Sequence, residues 1–163
     1  MNIRPCTEAD LEQLNDLYNY YIRETPITFD IEPITIDARR EWLSHYDEVG
    51  RHRVLVAVDD ATVLGYASSS SFRPKRAYET SVETSIYLAR GNEGRGIGTK
   101  LYAALFEAIS GEDIHRAYAG ITMPNDASLA LHTRFGFRQA GYFTEQGRMF
   151  DRYWDVAWFE KEM

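Results

Sequence analysis

Apolar positions recur every three or four residues in some stretches of the chain and every second residue in others, and the two periods divide it into elements. Leu11, Leu14, Tyr18, Tyr21 and Ile22 share a helical face behind Thr7-Glu8-Ala9-Asp10, which has the capping-box pattern. A first helix is expected from about Glu8 to Arg23. Pro26 and Pro33 bracket a loop carrying Thr28 and Phe29, and Ile36, Trp42, Leu43 and Tyr46 then predict a second helix ending near Gly50. From Arg53 the period changes. Arg53–Val58 is short and β-branched, Asp59-Asp60 reads as a hairpin turn, and Val63–Phe72 returns as a strand ending in a run of serines. Ser81–Leu88 is a further strand. Ile97, Leu101, Leu105, Ala108 and Ile109 form the stripe of an amphipathic helix. Ala117–Thr122 reads as a strand, Asp126–Arg134 as a helix closed by Gly136, and two strands finish the chain. The order β-α-α-β-β-β-α-β-α-β-β predicts a mixed α/β fold, one domain over residues 1–163 on a central sheet.

Composition narrows the classes. The length of 163 residues fits a single domain. The one cysteine, Cys6, excludes an internal disulfide framework and suits a reducing, cytoplasmic setting. It precedes a helix in Arg4-Pro5-Cys6-Thr7, where packing explains it better than nucleophilic chemistry. No run of about 18 apolar residues exists, so no membrane span is expected. A net charge of −7 argues against nucleic acid, whose binding draws on neutralised phosphates. His45, His52, His115 and His132 form no metal-ligand spacing, and no G-x-S-x-G elbow is present.

Chemistry concentrates in Glu93-Gly94-Arg95-Gly96-Ile97-Gly98-Thr99-Lys100, between a strand and a helix. Glycines bring backbone N–H groups close to a ligand, and the helix start behind them favours an anion. The dinucleotide fingerprint fails, because Gly94, Gly96 and Gly98 run G-x-G-x-G. The P-loop fails, because Ile97 stands where lysine belongs. A second block, Pro124-Asn125-Asp126-Ala127-Ser128 with His132 and Phe135-Gly136-Phe137, follows one strand later. Asn125 or Asp126 can cap its helix.

Together the blocks resemble the GCN5-related N-acetyltransferase superfamily: Glu93-x-x-Gly96-x-Gly98 its pyrophosphate loop, and Asn125-x-x-Ser128-x-x-x-His132-x-x-x-Gly136-Phe137 its cofactor helix. The likeness covers nearly the whole chain. It is nearest to the phosphinothricin and methionine sulfoximine acetyltransferases, through Tyr20-Tyr21-Ile22, Thr28-Phe29, Val82–Leu88 and Trp154-Asp155-Val156. The resemblance implies a single-domain acetyltransferase fold and acetyl-CoA as co-substrate, with no metal. It implies that Ile86, Tyr87 and Leu88 present backbone groups to the pantetheine arm. Gly94, Arg95, Gly96, Ile97, Gly98 and Thr99 would wrap the pyrophosphate, and Asn125 and Ser128 would bond near the pantetheine. The family usually has Gln or Arg where Glu93 stands, so Glu93 is expected to face solvent and Arg95 to supply the charge.

The same resemblance points to a small amine acceptor, direct attack, and Glu83 as general base. A carboxylate on a central strand is open to desolvation, which raises its pKa. His132 is the second catalytic candidate, for proton transfer at the thiolate. Tyr87 and Tyr118 remain alternative acids. The basic loop Arg73-Pro74-Lys75-Arg76, then Tyr78, suits an acceptor's carboxylate, phosphinate or sulfoximine. Phe29, Arg73, Lys75, Tyr78 and Glu83 are the substrate-site candidates. Some herbicide-detoxifying members carry His where this chain has Trp154, which leaves the acceptor open. Polyamines, peptide N-termini, and a non-catalytic CoA sensor are the alternatives. A homodimer is implied by the subfamily; Phe143, Phe150, Tyr153, Trp154 and Trp158 exceed what two final strands need for a core.

Overall fold

The computed structural model describes all residues from Met1 to Met163. Its strands are β1 (Asn2–Pro5), β2 (Arg53–Asp59), β3 (Thr62–Ser71), β4 (Ser81–Leu88), β5 (Arg116–Thr122), β6 (Arg138–Met149) and β7 (Arg152–Glu162). The helices are α1 (Leu11–Glu24), α2 (Ile36–Leu43), α3 (Ile97–Ala108) and α4 (Asp126–Arg134). The strands form one seven-stranded sheet in the order β1-β2-β3-β4-β5-β7-β6. Every neighbouring pair is antiparallel except β4 and β5, which are parallel.

Alternation along the central strands sends side chains into two layers. On β2, Val54, Val56 and Val58 pack with Leu14 and Leu17 of α1, whereas Leu55 and Ala57 pack with Leu101 and Leu105 of α3. Both faces are covered, so β2 reads as a continuous apolar run instead of an alternating one. A third cluster joins Val82, Ala117, Ala119, Ala157 and Phe159 under Phe137.

Two helix boundaries differ from expectation. A 3-10 turn, Glu8–Asp10, precedes α1. The Asp10 carboxylate there accepts the Thr7 N–H at 2.8 Å and a two-pronged contact from Arg4 at 2.7 Å, which anchors this end. The second helix stops at Leu43, where the Ser44 hydroxyl donates to the Glu41 carbonyl at 2.6 Å. Tyr46 keeps its apolar role from the following turn, its ring 4.6 Å from that of Trp42.

Candidate active site

Strands β4 and β5 are paired at Ser81↔Arg116, Val82↔Ala117 and Glu83↔Tyr118, and there the register ends. Both strands continue, to Leu88 and Thr122, but diverge. The wedge between them is a cavity of about 640 Å³, walled by Thr84–Leu88 on one side and Ala119–Thr122 on the other. Backbone N–H and C=O groups on the separated edges lack a strand partner, and an extended ligand can supply one. Ile86, Tyr87 and Leu88 all line this gap. The Tyr21 hydroxyl donates to the Leu88 carbonyl at 2.8 Å, and burial pushes the Tyr87 phenol up to about 12.

The glycine loop closes the wide end. Gly94 and Gly96 have φ values of 72° and 75°, in the left-handed region that favours glycine, and nothing lies within 4 Å of a Cβ built on either. Gly96 caps α3 without a side-chain bond, so the first-turn N–H groups stay open to an anion. Backbone donors, free space and a helix start together fit a pyrophosphate. Gly94, Gly96, Ile97, Gly98 and Thr99 border the cavity; Arg95 does not, because its guanidinium turns to Asn92 Oδ1 at 2.6 Å. Arg134, at the end of α4, is the basic side chain on the wall. Glu93 is exposed at the rim, its carboxylate folded back to accept the Gly91 N–H at 2.9 Å.

On the opposite wall, Asn125 Oδ1 caps α4 by accepting the Ser128 N–H at 3.1 Å, which leaves its amide N–H groups free. His132 is only 3% exposed. Its Nδ1 lies 2.8 Å from the Ser128 carbonyl, which can only accept, so Nδ1 carries the proton. Nε2 then accepts from the Tyr102 hydroxyl at 2.9 Å. Burial lowers the His132 pKa, which favours the neutral ring. Tyr102 is fully buried, with Thr84 Oγ1 3.4 Å away, and burial raises its phenol well above the ordinary range.

Glu83 stands at the apex, on the last paired position before the strands part. It is half-buried, and burial raises its carboxyl pKa while the positive charge of Arg73 pulls it partly back. Arg73 lies over the Phe72 ring at 4.3 Å, Phe72 stacks on Tyr118 at 4.3 Å, and Tyr78 meets Phe72 edge-on at 6.0 Å. Glu83, Arg73 and Tyr78 therefore gather on one face. Lys75 is exposed beside them, without an ion-pair partner. Phe29 stands apart, its ring against Gly147 of β6 so closely that a Cβ there would collide with it. Sequence reasoning passed over Phe72, Tyr102 and Arg134. The signal for Phe72 was its apolar ring at the end of the expected strand Val63–Phe72, at period-two spacing from Ser68 and Ser70.

No group of His, Cys, Asp and Glu is placed to hold a metal, and no helix is long and apolar enough to cross a membrane. Burial pushes the Cys6 thiol up to about 12, so it is no ready thiolate.

Comparison with known proteins follows the same lines. The acetyltransferase (GNAT) domain family matches residues 3–158. A phosphinothricin N-acetyltransferase of Streptomyces coelicolor is 57% identical over 100% of this chain and 96% of its own. An L-methionine sulfoximine/L-methionine sulfone acetyltransferase of Pseudomonas paraeruginosa is 32% identical over 98% of this chain and 92% of its own. The crystal structure of a phosphinothricin acetyltransferase from Sinorhizobium meliloti with acetyl-CoA superposes with a TM-score of 0.93. Its identity is 28%, and the match covers 99% of this chain and 88% of that one.

Proposed function

The chain belongs to the GNAT acetyltransferase family and is an acetyl-CoA-dependent N-acetyltransferase, and we propose that it acetylates a small amino-acid analogue of the phosphinothricin or methionine sulfoximine kind. The observation carrying the acceptor assignment is the placing of Glu83 at the apex of the wedge with Arg73 beside it.

An alkylammonium cannot attack until it loses a proton. Acetyl-CoA supplies an electrophilic thioester carbon: the amine nitrogen bonds to it as the C–S bond breaks and sulfur leaves with the electron pair. Glu83 takes the ammonium proton, directly or through one water, and its raised pKa makes it a stronger base than an exposed glutamate. Arg73, with Lys75 and Tyr78 near it, receives the acceptor's anionic group; its planar fork pairs with two oxygens at once. Backbone groups of Ile86–Leu88 hold the pantetheine arm, with Asn125 and Ser128 across the gap. Gly94–Thr99 hold the pyrophosphate. As the amide forms, the nitrogen gives up its second proton, which balances protonation of the departing sulfur, and His132 holds the Tyr102 hydroxyl on the cavity wall for that transfer. Exposed Arg73, Lys75 and Arg76 oppose a polyamine acceptor.

We assign the molecule a homodimeric state, supported by Tyr142, Phe143, Phe150 and Tyr153, which lie 45–57% exposed along one hairpin, and a cytoplasmic setting, which its single cysteine suits.

The test is free-thiol release from acetyl-CoA over a panel of amines. Turnover is expected on phosphinothricin, methionine sulfoximine and methionine sulfone. Turnover confined to spermidine or a short peptide would overturn the acceptor assignment and leave the family intact.

A further inference from the structure

A tryptophan near the proposed anion-binding Arg73 takes no part in the proton and acyl transfers. Trp158 of β7 is the register partner of Gly120 of β5, and a Cβ built on Gly120 would lie 3.2 Å from two indole carbons. The ring therefore rests against the glycine backbone, in the space another residue's side chain would need. On its other side the indole meets Phe72 edge-on at 6.2 Å. Phe72 in turn stacks on Tyr118, the register partner of Glu83. The Arg73 guanidinium lies 5.8 Å from the Trp158 ring. Trp158 Nε1 donates to Gln146 Oε1 at 3.4 Å, in the irregular part of β6 between Phe143 and Gly147. Strand, loop and bulge thus hold the ring in one orientation. Gly120 itself borders the cofactor cavity, and the indole packs on its Cβ side.

We propose that Trp158 is a specificity-determining residue: it forms the wall of the acceptor's side-chain subsite and selects a tetrahedral sulfur or phosphorus group that carries a methyl. The methyl lies against the indole and the oxygens turn to Arg73. This rests on the acceptor reading above. The chemistry follows from the two surfaces. An aromatic face gains from a buried methyl. A guanidinium beside it pairs with oxygens. A head group with oxygen in place of the methyl sets a polar atom against the ring and leaves that atom unsatisfied. Gly120 is the condition for this arrangement, because a side chain there displaces the indole into the subsite.

Methionine sulfone and homocysteate separate the two cases, since the second has oxygen where the first has methyl. Rates of free-thiol release would be measured for the wild type and for Trp158→Leu, Trp158→Phe and Gly120→Ala. The wild type is expected to prefer methionine sulfone by about tenfold or more in kcat/KM, the scale of one methyl in an apolar site. Trp158→Leu brings the ratio near unity with KM for acetyl-CoA unchanged, and Trp158→Phe restores most of it. Gly120→Ala lowers kcat/KM for methionine sulfone more than for homocysteate, which decides the matter if Trp158→Leu does not fold. An unchanged ratio in Trp158→Leu, or in Gly120→Ala where the former is unfolded, overturns the proposal. A wild type that acetylates neither compound overturns the acceptor reading and this subsite with it, whereas activity with an unaltered ratio overturns the subsite alone.

Discussion

Glu83 and His132 show how burial tunes a residue in opposite directions by one cause. Desolvation disfavours the charged form, so the carboxyl pKa of Glu83 rises and that of the His132 ring falls. For Glu83 the consequence for stability has a definite sign. The folded chain holds its proton more tightly than the unfolded chain, whose value is near 4.5. Stability from this group is therefore fully present below 4.5 and is lost as pH rises through the raised folded pKa. Glu83→Gln removes the ionised form. The variant should melt higher than the wild type at neutral pH, with no gain below the ordinary carboxylate range, and differential scanning fluorimetry across pH reads this. Its kcat should fall by about 10²–10⁴-fold, the usual scale for a lost general base. Unchanged turnover would remove Glu83 from the chemistry.

At the scale of elements, the loop between α1 and α2 is held at several points, the Asn15 and Asn19 side-chain amides on the Ile34 carbonyl at 2.9 Å among them. Thr28 bonds the Tyr18 hydroxyl at 2.7 Å, and Phe29 lies on Gly147. Ile27, two residues before Phe29, lines the cofactor cavity, so the docking of this loop shapes one side of the cleft. Gly147→Ala drives the Phe29 ring away. Overpacking of this kind costs about 1–3 kcal/mol. The expected outcome is a lower melting temperature and a several-fold higher KM for acetyl-CoA, and adding Phe29→Ala should recover part of both losses. Additive losses in the double variant would show that the two residues act independently. Sequence periodicity placed the ends of Ser81–Leu88 and Asp126–Arg134 where the structure has them, whereas Phe29 was an acceptor-site candidate through the family resemblance. The elements obey local rules: β-branched alternation, an Asn125 cap, a glycine at the end. The docking of Phe29 depends on a residue more than a hundred positions away, which no local period reports.

For the whole molecule, the last hairpin is the outlying feature. β6 is an edge strand with most of its residues exposed, and it carries Tyr142 and Phe143 outward. Exposed edges with aromatic side chains favour pairing with another chain. Sedimentation should find a dimer, and Phe143→Asp should shift it toward monomer, since a stable interface buries about 1,200–2,000 Å² and excludes an unpaired charge. A wild type that sediments as a monomer at micromolar concentration would overturn the homodimer.

Local order along the chain specifies the strands, the helices, and the glycine loop between β4 and α3. The Gly94–Thr99 and Asn125–Ser128 blocks carry the resemblance that implies acetyl-CoA; the first leaves a helix start open after a strand, and the second is capped by Asn125. Which edges meet is another matter. β7 enters between β5 and β6, and this non-local step sets Trp158 on Gly120. The parting of β4 from β5 after Glu83 makes the wedge, and the turn of Arg95 toward Asn92 leaves Arg134 as the cation on its wall. Periodicity records which face a residue takes within its own element. Strand order, divergence and side-chain direction arise from contacts between residues distant in the chain, and those exist only once it has folded.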